Sequence, residues 1–348
     1  MSAVAHLLPP VFLCQEYYVM AFALEFFLRR ISQGLVIVLL VAFVIFTLLR
    51  IAPGDPIRII LGPMTPDAVM EETAKKLGLR DHIPVQFGRF LVQIGSGDLG
   101  HSFIRGKQGG STSGSQDSTG IDAADRAPVS ELITNALPYT LQLAGLGIFF
   151  AFLIAIPIGL AAGLKSGRWP ERLGLYISSI FVSLPNIWVG VVLIYLLSAK
   201  SGLLPAIGYK NFAYTIIPAI VVAIELSPVM IRAISVSIAA NIGETYFDVG
   251  QVRGIPRWKM IARHVLRNAA VPLLNVFGAQ MIGMLLGGLF VVEYIFSFPG
   301  IGLLTINAIF QRDFPVIQAV AILASAVLVL INMLVDFAST TIDRRLKF

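Results

Sequence analysis

Residues 246–272 read YFDVGQVRGIPRWKMIARHVLRNAAVP, a basic and polar run inside a chain that is otherwise nearly all lipid-compatible. Gly254 follows a short helical pattern, where glycine takes a left-handed C-terminal cap with least strain, and Pro256 suits the first position of a second helix. The spacing predicts two helices meeting at a tight corner. In the second, Trp258, Ile261, Ala262 and Val265 fall at i, i+3, i+4 and i+7, while Lys259, Arg263 and Arg267 line another face. Spacing alone leaves two readings open. The helix either lies in the interface with its cations among anionic headgroups, or docks a protein.

Around that run, hydrophobic residues make up 56% of 348 positions and charged residues 13%, against roughly 45–50% and 25% in soluble domains. This composition predicts an integral membrane protein. Six stretches are long and apolar enough to span a bilayer: 32–49, 138–164, 173–199, 212–231, 268–292 and 314–335. Only the fourth carries a charge, Glu225. Prolines at 157, 185, 218 and 228 bend spans, as suits a bundle lining a path. Arg29, Arg30, Lys165, Arg168, Arg172, Arg232, the cations of 253–267 and those of the C-terminal tail fall on one side. The short loops on the other side hold Lys200, Lys210 and Arg312. The positive-inside rule makes the first side cytoplasmic, with both termini, and accounts for the net charge of +6 without nucleic acid. The expected organisation is an N-terminal segment (1–31), the first span (32–49), a large extracytoplasmic loop (50–137), and a five-span core (138–348) with a cytoplasmic loop at 232–267.

Within the large loop, 65–78 begins with Thr-Pro-Asp and ends at Gly78, the signature of a short surface helix. The tract KQGGSTSGSQDSTGIDAAD at 107–125, inside an insertion spanning 105–127, lacks the apolar residues that offset ordering entropy and reads as mobile. Residues 1–26 match neither a clean signal peptide nor a cleavable anchor, and Met20 is a second candidate start.

Catalytic patterns are missing. No G-x-x-x-x-G-K-[ST] phosphate loop, H-E-x-x-H or G-x-S-x-G occurs. Cys14 stands alone, and His6, His82, His101 and His264 have no metal-ligand spacing. The expectation is a chain with no catalytic residues, no metal and no cofactor of its own.

Several blocks, in order, carry a family resemblance: RIAPGDP at 50–56, GDLGHS at 97–102, LPYTL at 137–141, the run from Gly254 to Pro272, VVEYIFSFPGIG at 291–302, RDFPVIQ at 312–318 and NMLVD at 332–336. Together they resemble the B-type permease subunits of ABC importers in the dipeptide/oligopeptide/nickel family. The resemblance covers nearly the whole chain beyond about residue 26. It implies an all-α ABC type I importer permease fold with six transmembrane helices in a bacterial inner membrane. The implied partners are a homologous second permease, two cytosolic ATPase subunits holding ATP and magnesium, and an extracytoplasmic substrate-binding protein. Asp248, Val249, Gly250, Gly254, Ile255, Pro256 and Arg257 would form the ATPase-coupling element. The family's Glu-Ala-Ala-x3-Gly motif is altered here to Asp248-Val249-Gly250 before the retained Gly254, and the insertion at 105–127 is longer than the family pattern.

Glu225, costly in a span unless paired or facing a cavity, is a candidate for the translocation path; Arg232 or a group in the partner permease is its alternative partner. Glu293, Phe296 and Pro299 are candidates for contact with the binding protein, against a plain turn. Asp336 and Asp343 read as local pairing. The expected cargo is di- or oligopeptides, with a nickel chelate, an opine or glutathione as alternatives. A stand-alone secondary transporter, the rival class, calls for inverted repeats and paired mid-membrane charges.

Overall fold

The computed structural model describes residues 10–51, 65–76, 80–106 and 126–342. Among these, the helices are α1 (Pro10–Ile51), α2 (Asp67–Lys76), α3 (Ile83–Gly95), α4 (Val129–Leu164), α5 (Trp169–Ser183), α6 (Asn186–Lys200), α7 (Phe212–Ile242), α8 (Thr245–Val252), α9 (Arg257–Ile295), α10 (Ile301–Gln311) and α11 (Phe314–Ile342). Strands β1 (His101–Gly106) and β2 (Arg126–Pro128) pair antiparallel, His101 opposite Pro128 and Gly106 opposite Arg126. Leu28–Ile51 of α1, α4, α7, α9 and α11 are each long and apolar enough to cross a membrane; α5 and α6 qualify together, bent by 95° at their junction.

That bent pair is a broken span rather than a re-entrant loop, as its neighbours show. Gly147, Gly159 and Gly163 of α4 face Val222, Ile234 and Ile238 of α7, all at the same sequence offset, so α4 and α7 run parallel. Parallel neighbours require the chain between them to recross the bilayer. It does so in steps. Gly174 meets Ala162 and Ile231 near one end, the Ser178 hydroxyl donates to the Pro228 carbonyl at 2.9 Å midway, and Gly190 meets Ile295 and Phe296 at the other end. The six-span expectation is thus met with one correction: the stretch 173–199 is two helices. Leu184 and Pro185 at the break are extended, because proline disfavours helical geometry in the residue before it. Pro157 and Pro228 remain inside unbroken helices.

The α4–α7 contact is the centre of the molecule. In lipid, helices associate through close van der Waals fit rather than apolar burial, which favours small residues at the seam. A Cβ on Gly147, Gly159 or Gly163 would stand 2.6 to 2.8 Å from its neighbour. Overpacking of that kind costs about 1–3 kcal/mol per site. Gly278 of α9 meets Val335 of α11 in the same way, and Arg30 of α1 pairs with Asp336 of α11 at 2.6 Å. Asp336 therefore ties the first span to the last rather than pairing locally.

The loop expected at 232–267 is much shorter. Ile234 and Ile238 still find α4 to pack on, so α7 continues to Ile242, while α9 already begins at Arg257. At the other end of the molecule, α3 lays Phe87 and Phe90 against Phe43 and Phe46 of α1 with ring centroids 5.2 to 5.5 Å apart. The helix expected at 65–78 is present as α2; its end at Gly78, the RIAPGDP block beyond Ile51, most of the insertion, Asp343 and residues 1–9 lie outside the described residues.

Candidate functional sites at two ends and the middle of the bundle

The basic corner is a tight turn between two helices, as the spacing predicts. Gly254 adopts φ +77°, its N–H bonds the Gln251 carbonyl at 2.9 Å, and the Ile255 N–H closes onto the Gly250 carbonyl at 3.1 Å. Pro256 is extended and caps α9 just outside its first turn. Gly250 is buried beneath the thioether of Met260, which a Cβ there would meet at 2.6 Å, so α8 and α9 touch closely at this point. A π-helical turn at Ile261–Val265 adds a residue to the repeat and moves the buried face to Met260, Val265 and Ala269. Trp258 is 67% exposed and Ala262 is exposed too, so this part of the stripe is open to a partner or to lipid. The outer surface is consequently mixed: Val249, Val252 and Trp258 stand out beside Asp248, Arg253, Arg257, Lys259 and Arg263, with Ile255 half-buried below. Val252 is 89% exposed. An apolar side chain so placed among cations, on a corner with little freedom, suits a protein groove.

Glu225 lies near the middle of α7, where two irregularities of neighbouring helices converge. Asn186, the first residue after the break in the third span, reaches its carboxylate. Gly288, at the end of a π-helical turn (Met284–Gly288) in α9, presses on it so closely that a Cβ would sit 2.6 Å from both carboxylate oxygens. One oxygen, Oε2, is buried and has no hydrogen-bond partner among the described residues. The Arg232 pairing considered for it does not form: the Arg232 guanidinium donates to Ser179 Oγ at 3.1 Å.

Opposite the basic corner, Glu293 is a structural keystone. Its Oε1 accepts from Thr140 Oγ1 at 2.7 Å; its Oε2 accepts from the Gly302 and Leu303 amides, at 2.6 and 3.3 Å. The carboxylate thereby caps the N-terminus of α10, where free amides and the helix dipole favour an anion. Thr140 Oγ1 also accepts from the Ile301 amide at 2.8 Å. Glu293 and Phe296 are 0% and 1% exposed, so the expectation of direct partner contact is corrected to scaffolding, with half-buried Pro299 alone at the surface. A second long-range tie joins β1 to α11: Asp313 accepts from the Ser102 hydroxyl and, at 3.0 Å, from the Phe103 amide.

Sequence reasoning missed Thr140, Asp313, Asn186 and Gly288. The first two sit in LPYTL and RDFPVIQ, and the contacts join the blocks two by two: LPYTL holds VVEYIFSFPGIG, and GDLGHS holds RDFPVIQ. Asn186 and Gly288 carry no local signal. Among the described residues no group of three His, Cys, Asp or Glu could hold a metal ion.

Comparison with known proteins agrees with this architecture. Residues 155–348 match the model of the binding-protein-dependent transport system inner membrane component, and residues 23–144 match that of its N-terminal region. A glutathione transport system permease protein from Salmonella paratyphi A is 31% identical over 325 residues, covering 93% of this chain and 99% of the relative. A probable peptide ABC transporter permease protein from Sinorhizobium fredii is 31% identical over 331 residues with the same coverage. A chain of a methionine ABC transporter solved in an inward-facing conformation superposes with a TM-score of 0.51 at 20% identity, covering 62% of this chain and 98% of that one.

Proposed function

The chain belongs to the family of binding-protein-dependent transport system inner membrane components, and on that premise we propose that its basic corner is the seat of a cytosolic ATPase subunit. It is a multi-pass inner-membrane permease subunit of an ABC importer; ATP hydrolysis is the work of partner subunits, and a substrate-binding protein delivers the cargo. The observation that carries the docking assignment is the exposed Val252 and Trp258 on a corner braced by Gly254 and by the Gly250–Met260 contact. A lipid-facing helix has no need of such a rigid turn. A force-transmitting one does, because a floppy joint would absorb the ATPase movement.

In this reading the corner and both termini are cytoplasmic, two ATPase subunits act on this chain and on a second, homologous permease, and the end built around Glu293 faces the binding protein. The cargo is a small peptide or peptide-like solute such as glutathione, in keeping with the two relatives described above. Glu225 then supplies the polar point of the path, opening to it when the break at Pro185 or the π-turn at Gly288 shifts. Cross-linking tests the docking: Val252→Cys, in a Cys14→Ser background within an assembled importer whose ATPase carries one introduced surface cysteine, should form a disulfide with it under a mild oxidant such as copper phenanthroline, to an extent that changes with nucleotide. Labelling of that cysteine by lipid-phase reagents, with no ATPase adduct in any state, would return the corner to the membrane surface. For the path, Glu225→Gln should alter the ratio of glutathione to dipeptide uptake while leaving assembly intact. Loss of assembly with an unchanged ratio would make Glu225 purely structural.

A further inference from the structure

At the end of the bundle away from the basic corner, a cavity of roughly 380 Å³ opens between the end of α1, the amphipathic α3 and the start of α11. Its wall combines rings with donors: Phe46, Phe90 and Phe103 face Arg50, Gln93 and Gln318. Arg50 is fixed in place, its guanidinium 4.2 Å above the Phe46 ring and its Nε donating to Gln86 Oε1 at 2.9 Å. The terminal nitrogens of that guanidinium meet no acceptor among the described residues. Gln318 is only 6% exposed, yet among the described residues its Nε2 has no hydrogen-bond partner. A buried amide donor and a pre-oriented guanidinium on one cavity are arranged for an acceptor that arrives from outside the chain. The other cation in the wall, Arg89, is already paired with Asp81 at 2.7 Å, and Asp98 turns toward its own loop, accepting from the Gly100 amide.

The surroundings identify the acceptor's chemistry. Leu48 and Ile51 beside Arg50 are 60% and 67% exposed, and Val92 on the outer face of α3 is 74% exposed, as expected of side chains against acyl chains. Arg50 stands at the end of the apolar span, where headgroup phosphates lie. We propose that this cavity holds the phosphate of a phospholipid headgroup, whose oxygens accept from Arg50 and Gln318, with the tails running along Leu48 and Ile51. The lipid would staple α3 to the first and last spans. This assignment is independent of the cargo and of the ATPase docking described above.

Native mass spectrometry of the intact importer in detergent, titrated with phosphatidylglycerol, provides the test. Arg50→Gln should weaken the retained lipid about tenfold, as loss of a charge-assisted bond does, and Gln318→Leu several-fold. Arg89→Gln, which changes a residue already paired, should leave retention unchanged. Gln318→Leu removes an unsatisfied buried donor, so the fold tolerates it even where Arg50→Gln assembles poorly, and its lipid loss alone supports the site. Equal retention in Gln318→Leu and wild type would overturn the proposal. So would displacement of the lipid by inorganic phosphate at equal concentration, which would assign the site to a free anion.

Discussion

Replacing Gly254 with alanine isolates the stiffness of the corner from its shape. At φ +77° an L-residue is strained, but nothing lies within 4 Å of the Cβ that alanine would add, so no steric clash enters. The cost is the backbone term alone, about 1–2 kcal/mol. If ATPase closure is read through this conformation, its population falls about 5- to 30-fold relative to alternatives. Asparagine, which tolerates the left-handed region, should recover much of the loss although it is larger. The assay is the ratio of solute imported to ATP hydrolysed, in proteoliposomes holding the whole importer and its binding protein. Gly254→Ala should lower that ratio several-fold with normal assembly, and Gly254→Asn should lie between it and wild type. A wild-type ratio for alanine, or a worse result for asparagine than for alanine, would show that side-chain volume rather than backbone geometry governs the corner.

Three further outcomes follow from contacts deeper in the bundle. Gly288→Ala drives a methyl into the Glu225 carboxylate and should destabilise the subunit by about 1–3 kcal/mol; adding Glu225→Ala should restore most of it, and a purely additive double mutant in thermal unfolding would refute the contact. Thr140→Val keeps the shape but strips Glu293 of a donor and the Ile301 amide of its acceptor, a loss of about 1–3 kcal/mol, visible as lower thermal stability that Thr140→Ser regains. Burial holds the Asp313 carboxyl above its ordinary value of 3.8, outweighing the hydrogen bonds from Ser102 and Phe103 and the nearby Arg105. The folded state therefore keeps this proton more tightly than the unfolded chain, so the contribution is full below that ordinary value and is lost as pH rises through the raised one. Asp313→Asn should flatten this fall in a melting series across the acidic range; an unchanged slope would remove Asp313 as its source.

What the sequence made legible follows from what each signal averages over. Long uncharged stretches declare themselves, and Gly254 before Pro256 names its own backbone. Helical periodicity placed Trp258 and Val265 on one face but could not say that Val265 is buried with Met260 and Ala269 while Trp258 is exposed, because it assumes an unbroken repeat, which the π-turn at Ile261–Val265 violates. Proline in a span announces a disturbance but not its size: Pro228 stays within its helix, its carbonyl bonded by Ser178, while Pro185 turns the chain by 95°. Glu293 looked like the first residue of a loop because its partners, Thr140 and the amides of Gly302 and Leu303, come from other parts of the fold. Gly288 shows the same limit more sharply, since only proximity to Glu225 explains it.

The parallel course of α4 and α7 has a bearing on how the protein is made. Two parallel neighbours cannot zip together as a hairpin emerging from the ribosome; the broken third span must first be threaded back through the bilayer. Until then the groove at Gly147, Gly159 and Gly163 has only lipid to face. The order of synthesis therefore leaves a defined interval in which the newborn chain presents an unfilled seam, and the seam closes only once Val222, Ile234 and Ile238 have been delivered to it.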